Sequence, residues 1–273
     1  MTRIIAAMQP TLSQIHIYPL KSGAPLTLVA ADVQTRGLAG DRRWMVTDLQ
    51  GKLLSARQHP RMTLIRARIE DRCLQLSAPG MAALTLDPDA THARFVIEVW
   101  GDRVDARAAS AEADAWISAY LGLGAHIAHM DAAALRPVDA DYGRANDEVS
   151  FADGFPLLLI SQAALDALNT KLAQRVPMLR FRPNLVVANT AAHAEDGWRR
   201  IRVGVVEFDV VKACARCVLT TVDFERGEFD PAGEPLRTLI TYRRTPKGVT
   251  FGQNLIPRGQ GVVRVGDAVE ILE

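Results

Sequence analysis

Short stretches in which apolar and polar residues alternate recur along most of the chain, each closed by a turn signal. A period of two commits such stretches to strands. "SQIHIYPL" alternates Ile15 and Ile17. "RRWMVTDLQGKLLSARQ" reads as a hairpin turning at Gln50-Gly51, "MTLIRARIEDRCLQLSA" as a second turning at Glu70–Arg72, and "RFVIEVWGDRVDAR" as a third with Gly101-Asp102 at its turn. Three successive hairpins predict an antiparallel sheet or barrel in the first half. Strand patterns return late in the chain in "RPNLVVANT", "RIRVGVVEFDVVKA" and "RCVLTTVDF", and "GVVRVGDAVEIL" reads as a closing hairpin.

Two segments break the pattern. Ala113, Trp116, Ile117, Tyr120 and Leu121 recur at helical spacing behind Ser110, with Gly122 or Gly124 as the stop. Ala164, Leu165, Leu168 and Leu172 form a similar stripe behind Ser161. Both stripes read as core-facing. Between them "MDAAALRPVDADYGRANDEVSFADG" is polar and aperiodic, as linkers and functional loops are. The expected fold is mainly β with a few helices, divided into residues 1–130 and 131–273.

The 273 residues are enough for one large or two small domains, and at 48% hydrophobic and 23% charged they exclude a disordered chain. A formal net charge of +1 gives no global bias toward nucleic acid or a membrane surface. No run reaches the roughly 18 apolar residues of a spanning helix. The opening "MTRIIAAMQPTLSQ" is too briefly apolar for a secretory signal and reads as a lead-in to the first strand. Three cysteines make a disulfide framework unexpected and a reducing cytoplasm the expected compartment.

The chemistry concentrates in "ACARCVLTTVD". Cys214 and Cys217 could be half of a zinc site, with His126 and His129 as a second pair; they could be a redox dithiol, or ordinary core cysteines. The β-branched run after Cys217 predicts a strand, which lacks the helix N-terminus a dithiol needs. A fourth reading is a single thiolate beside Lys212 and Arg216, acting as nucleophile or as a metal's one protein ligand. Cations and small donors also collect at strand ends: Lys21 and Ser22; Asp41, Arg42 and Arg43; Arg57 and Arg61; Arg180, Arg182 and Asn184. Arginine forks and a lysine point charge suit a phosphate-bearing ligand. No phosphate-binding or dinucleotide glycine fingerprint and no Ser/His/Asp set is present.

In order, "IYPLKS", "GDRRWMVTD", "ARQHPRM", "FADGFPLLLIS", "FRPNLVV", "EDGW", "CARCVLTTVD" and "FGQN" resemble the MOSC-domain family, in the branch with an N-terminal β-barrel domain. That branch holds the mitochondrial amidoxime-reducing component and its bacterial YcbX-like relatives. The likeness implies two β-barrel-like domains with a molybdenum cofactor (Mo-molybdopterin) between them. Cys217 falls on the metal-ligating thiolate, with Cys214 a neighbour. Lys21, Ser22, Arg42, Arg182 and Asn184 fall on cofactor-holding positions, and Asp153 on an aspartate near the metal. Gly154 and Phe155 depart from the small hydroxyl residues of the mitochondrial form. The implied activity is reduction of N-hydroxylated compounds (hydroxylamines, amidoximes or N-hydroxylated nucleobases), with Asp153 binding substrate or relaying protons. A non-catalytic cofactor carrier is the alternative. Some bacterial relatives append a ferredoxin domain with four cysteines, which this sequence lacks. A separate flavin or iron–sulfur protein is therefore the expected electron donor.

Overall fold

Alternation becomes strand over most of its expected span in the computed structural model, which describes residues 9–91 and 93–273. Most of the lead-in, residues 1–8, lies outside the described residues. Among the described residues the fold is mainly β with three α-helices, the expected class. No described helix is long and apolar enough to cross a membrane.

The largest sheet runs Leu26–Leu28, Thr11–Ile17, Leu185–Ala188, Leu157–Ser161, Gly248–Pro257, Val206–Ala215, Arg200–Val203, Val269–Ile271. Its one parallel pair, Leu157–Ser161 with Leu185–Ala188, is joined through a helix, as parallel pairing requires. A second sheet runs Trp44–Asp48, Ala125–His129, Asp102–Ala108, Arg94–Val99. Sheet membership does not follow the expected division at residue 130. Leu12, Ile15 and Ile17 face inward with Leu185, Phe208 and Leu255, so the first strand belongs to the later core. Ala30–Gln34 likewise pairs with Gly261–Arg264. The region of the second sheet begins only at Trp44.

The helices start and stop where their caps dictate. The Ser110 hydroxyl accepts the Ala113 N–H, and the helix Ala111–Leu121 ends at Gly122, whose φ of 72° suits glycine. Its buried Trp116 and Ile117 pack with Trp44 and Val46. Ser161 caps Gln162–Asn169 in the same way. That helix stops before Leu172, which nevertheless packs on its core from the following loop.

Several expectations give way locally. The closing hairpin does not form: Gly261–Arg264 and Val269–Ile271 diverge at Gly266 and pair with different strands. The turn of the third hairpin is Trp100-Gly101, one residue early. After Cys217, the expected strand is a 3-10 turn, Val218–Thr221, before Val222–Asp223 extends. The Thr220 and Thr221 hydroxyls donate back to the carbonyls of Cys217 and Val218, an alternative to a sheet ladder that β-branching alone does not reveal.

The polar stretch after residue 130 is a loop held from inside. Arg136 is only 2% exposed. Its guanidinium donates to the carbonyls of Ser150, Ala152 and Asp153 and to the Asp102 carboxylate. One buried side chain thus fixes the loop that carries Asp153 against the hairpin that carries Trp100.

Candidate functional site

The two regions meet at an open cleft. The seven residues that the family resemblance put at the site line it: Lys21, Ser22, Arg42, Asp153, Arg182, Asn184 and Cys217. They arrive from five separate segments of chain. Four residues on its wall, Ser22, Arg42, Arg182 and Trp100, hold φ between 49° and 70°. Side chains other than glycine rarely adopt that region, and such strain concentrates at sites that use it.

One side is built around Tyr18. The guanidinium groups of Arg42 and Arg182 both lie over its ring, at 4.4 and 4.1 Å, and its hydroxyl donates to the Pro183 carbonyl. Arg42 donates to Asp41 (2.6 Å), to the Asn184 side-chain oxygen (3.2 Å) and to the Arg182 carbonyl. Fully buried Asp41 also accepts the Tyr18 N–H, so the second carboxylate oxygen compensates the Arg42 charge. Asn184 donates to the His16 carbonyl and accepts the Leu158 N–H, stitching first strand to parallel pair. The Ser22 hydroxyl accepts the Ala56 N–H. Asn184 and Ser22 thus hold backbone in place.

The opposite side centres on Asp153. Its carboxylate accepts from Lys21 Nζ (2.6 Å), Trp100 Nε1 (3.0 Å) and Arg57 Nη2 (3.2 Å). Desolvation raises its pKa, but its side chain is 63% exposed and Lys21, Arg57 and Trp100 outweigh that cost. The carboxyl is held well below the usual carboxylate range. Burial pushes the Lys21 ammonium down to about 8, against the opposing charge of Asp153. Burial also lowers Arg182 to about 10, where Tyr18 opposes it and Arg42 adds to it.

Three lining arginines carry a buried N–H with no partner among the described residues: Arg57 Nε, Arg182 Nη2 and Arg216 Nε. A buried charged donor left unmade is costly, so these donors fit an anionic group entering the cleft. Cys217 supplies the soft atom on the same wall and is a free thiol. Arg216 does not serve it as expected: its Nη1 lies 2.9 Å from Cys214 Sγ, and its Nη2 donates to the Phe181 carbonyl. Lys212 lies over the Tyr142 ring at 4.2 Å.

Arg180 also lines the cleft, tied to the Thr221 carbonyl and Asp223. Arg43 and Arg61 do not line it; they engage Gln34 and the Tyr120 ring. His126 bonds Asp114 and His129 stacks on Trp44, both on the strand Ala125–His129. Among the described residues no three His, Cys, Asp or Glu side chains group as a metal set. A Cβ added at Gly154 would meet nothing within 4 Å, so space does not demand glycine there. Tyr18, Trp100 and Arg136 escaped sequence reading. Only Trp100 left a trace, an aromatic in a turn position beside glycine.

Residues 9–123 match the family described as MOSC N-terminal beta barrel domain, and residues 146–270 match the MOSC domain family. Mitochondrial amidoxime-reducing component 1 of Mus musculus is 36% identical, over 96% of this chain and 82% of its own length. Mitochondrial amidoxime reducing component 2 of Rattus norvegicus is 34% identical, over 95% and 82%. Among solved structures, the YUAD protein from Bacillus subtilis aligns over 96% of this chain and 95% of its own at 12% identity, with a TM-score of 0.41.

Proposed function

The chain belongs to the MOSC-domain family of the amidoxime-reducing components, and from that premise we propose that it is a molybdenum-cofactor-dependent reductase of N-hydroxylated small molecules. The observation that carries the reading is one cleft holding the free thiol of Cys217 and three buried guanidinium donors without partners. A phosphate-bearing pterin with a thiol-ligated metal needs that donor set. Cys217 would ligate the metal. Arg182, Arg57 and Arg216 would take the anionic tail, and Lys21, Ser22, Arg42 and Asn184 shape its seat. When bound, the cofactor supplies two-electron redox chemistry that no side chain offers.

The remaining work falls to this chain's residues. Reducing an N–OH group to N–H consumes two electrons and two protons and releases water. Asp153, ionised and gripped by three donors, accepts hydrogen bonds and orients; it is not a proton donor near neutral pH. Lys21 Nζ, lowered to about 8, holds the proton nearest to transferable. The electrons come from a separate donor protein. A reducing cytoplasm is the proposed compartment, supported by three free cysteines.

The test uses protein made in a host that synthesises the cofactor. Elemental analysis should find molybdenum, and reduced viologen should drive turnover of a hydroxylamine. Cys217→Ser should lose both. Full activity in Cys217→Ser overturns the proposal, and bound molybdenum without turnover identifies a cofactor carrier.

A further inference from the structure

Trp100 and Gly101 are the central residues of the hairpin joining Arg94–Val99 to Asp102–Ala108, with Val99 opposite Asp102. Both have positive φ, 54° and 94°. A two-residue turn of this kind favours Asn, Asp or Gly in the first place. A bulky indole there is strained, and core burial does not compensate it, because Trp100 is 44% exposed. A large aromatic held against local turn chemistry, on a cleft wall, is an exception that function explains.

The indole is also locked. Nε1 donates to Asp153 at 3.0 Å, and the Arg57 guanidinium lies 4.0 Å from the ring centroid. Rotation of the ring would break both contacts. What remains is a fixed, partly open π surface at the cleft. Beside it stands a carboxylate that three donors occupy, leaving about one of its four lone-pair sites free. A flat conjugated group with an N–H or O–H edge complements both features.

We infer that Trp100 is the specificity platform of the cleft, stacking the planar conjugated part of an N-hydroxylated substrate, so that aryl amidoximes and heteroaromatic hydroxylamines are preferred over small aliphatic hydroxylamines. The inference rests on the reductase reading above. Arg57 lies over the ring at 4.0 Å and Lys21 Nζ at 5.6 Å, the substrate stacks on the exposed remainder, and Asp153 meets the polar edge.

The test compares cofactor-loaded wild type, Trp100→Asn and Trp100→Phe. KM is measured for benzamidoxime and for N-methylhydroxylamine, and benzamidine binding by calorimetry. Asparagine fits the turn, so Trp100→Asn should not lower the melting temperature. It should raise the benzamidoxime-to-methylhydroxylamine KM ratio roughly tenfold and weaken benzamidine by a similar factor, as expected for loss of one aromatic stack. Trp100→Phe keeps a ring without the N–H and should recover most of both. An unchanged ratio and affinity in Trp100→Asn overturns the inference. So does Trp100→Phe behaving like Trp100→Asn, which would assign the effect to the Asp153 hydrogen bond. If wild type reduces neither compound, the reductase reading fails while benzamidine binding still decides the stacking.

Discussion

At Lys21 two effects oppose each other: burial drives the proton off and Asp153 holds it on, leaving the ammonium at about 8. Its charged fraction therefore falls as pH rises through that value. If this proton supports turnover, kcat/KM should show an alkaline limb near pH 8. Lys21→Arg, which stays charged, should abolish the limb. Asp153→Asn removes the charge that raises the Lys21 value, so the limb should move to lower pH. Rate profiles of the three proteins check each shift. At this scale the sequence was informative where chemistry is local. A thiol flanked by distinctive neighbours can be named without coordinates; of the cations at strand ends, Arg57 and Arg180 line the cleft with the seven residues the family resemblance named, while Arg43 and Arg61 do not. It was silent where a role depends on a distant partner. Nothing in "IYPLKS" says that Tyr18 carries two guanidinium groups over its ring, one of them from residue 182.

Among the elements, the loop carrying Asp153 depends on Arg136. Truncation by Arg136→Met would strand the carbonyls of Ser150, Ala152 and Asp153 and leave Asp102 without its partner. Asp102 is half exposed and loses little, but each buried carbonyl left unsatisfied costs about 1–3 kcal/mol. Urea unfolding should show that loss as a lower midpoint. The sequence hid this because a lone arginine in a polar stretch looks like a solvated charge. Helix ends, by contrast, were legible at Ser110, Gly122 and Ser161, since caps act within one turn of chain. Strand partners were not. The residues of "GVVRVGDAVEIL" alternate as a hairpin should, but which strand each pairs with is decided by Ala30–Gln34 and Arg200–Val203, far away in the chain.

For the molecule as a whole, the first strand lies in a sheet built mostly by the second half of the chain. A fragment of residues 131–273 would expose the paired edge of Leu185–Ala188 and lose Leu12, Ile15 and Ile17 from its core. Circular dichroism should find that fragment unfolded or aggregated, and the intact protein should melt in one cooperative step. A fragment with native-like sheet signal and a sharp transition would contradict this.

That early strand also sets a clock on synthesis. Thr11 waits for Ala188 to emerge from the ribosome before its ladder can close. At about 5–20 residues per second the wait is on the order of ten seconds or more. Through that interval Ile15 and Ile17 have only the early Leu26–Leu28 strand beside them and lack Leu185, Phe208 and Leu255. Nascent chains should therefore engage holdase chaperones early, and none can seat a ligand between Lys21 and Arg182 until translation is far advanced.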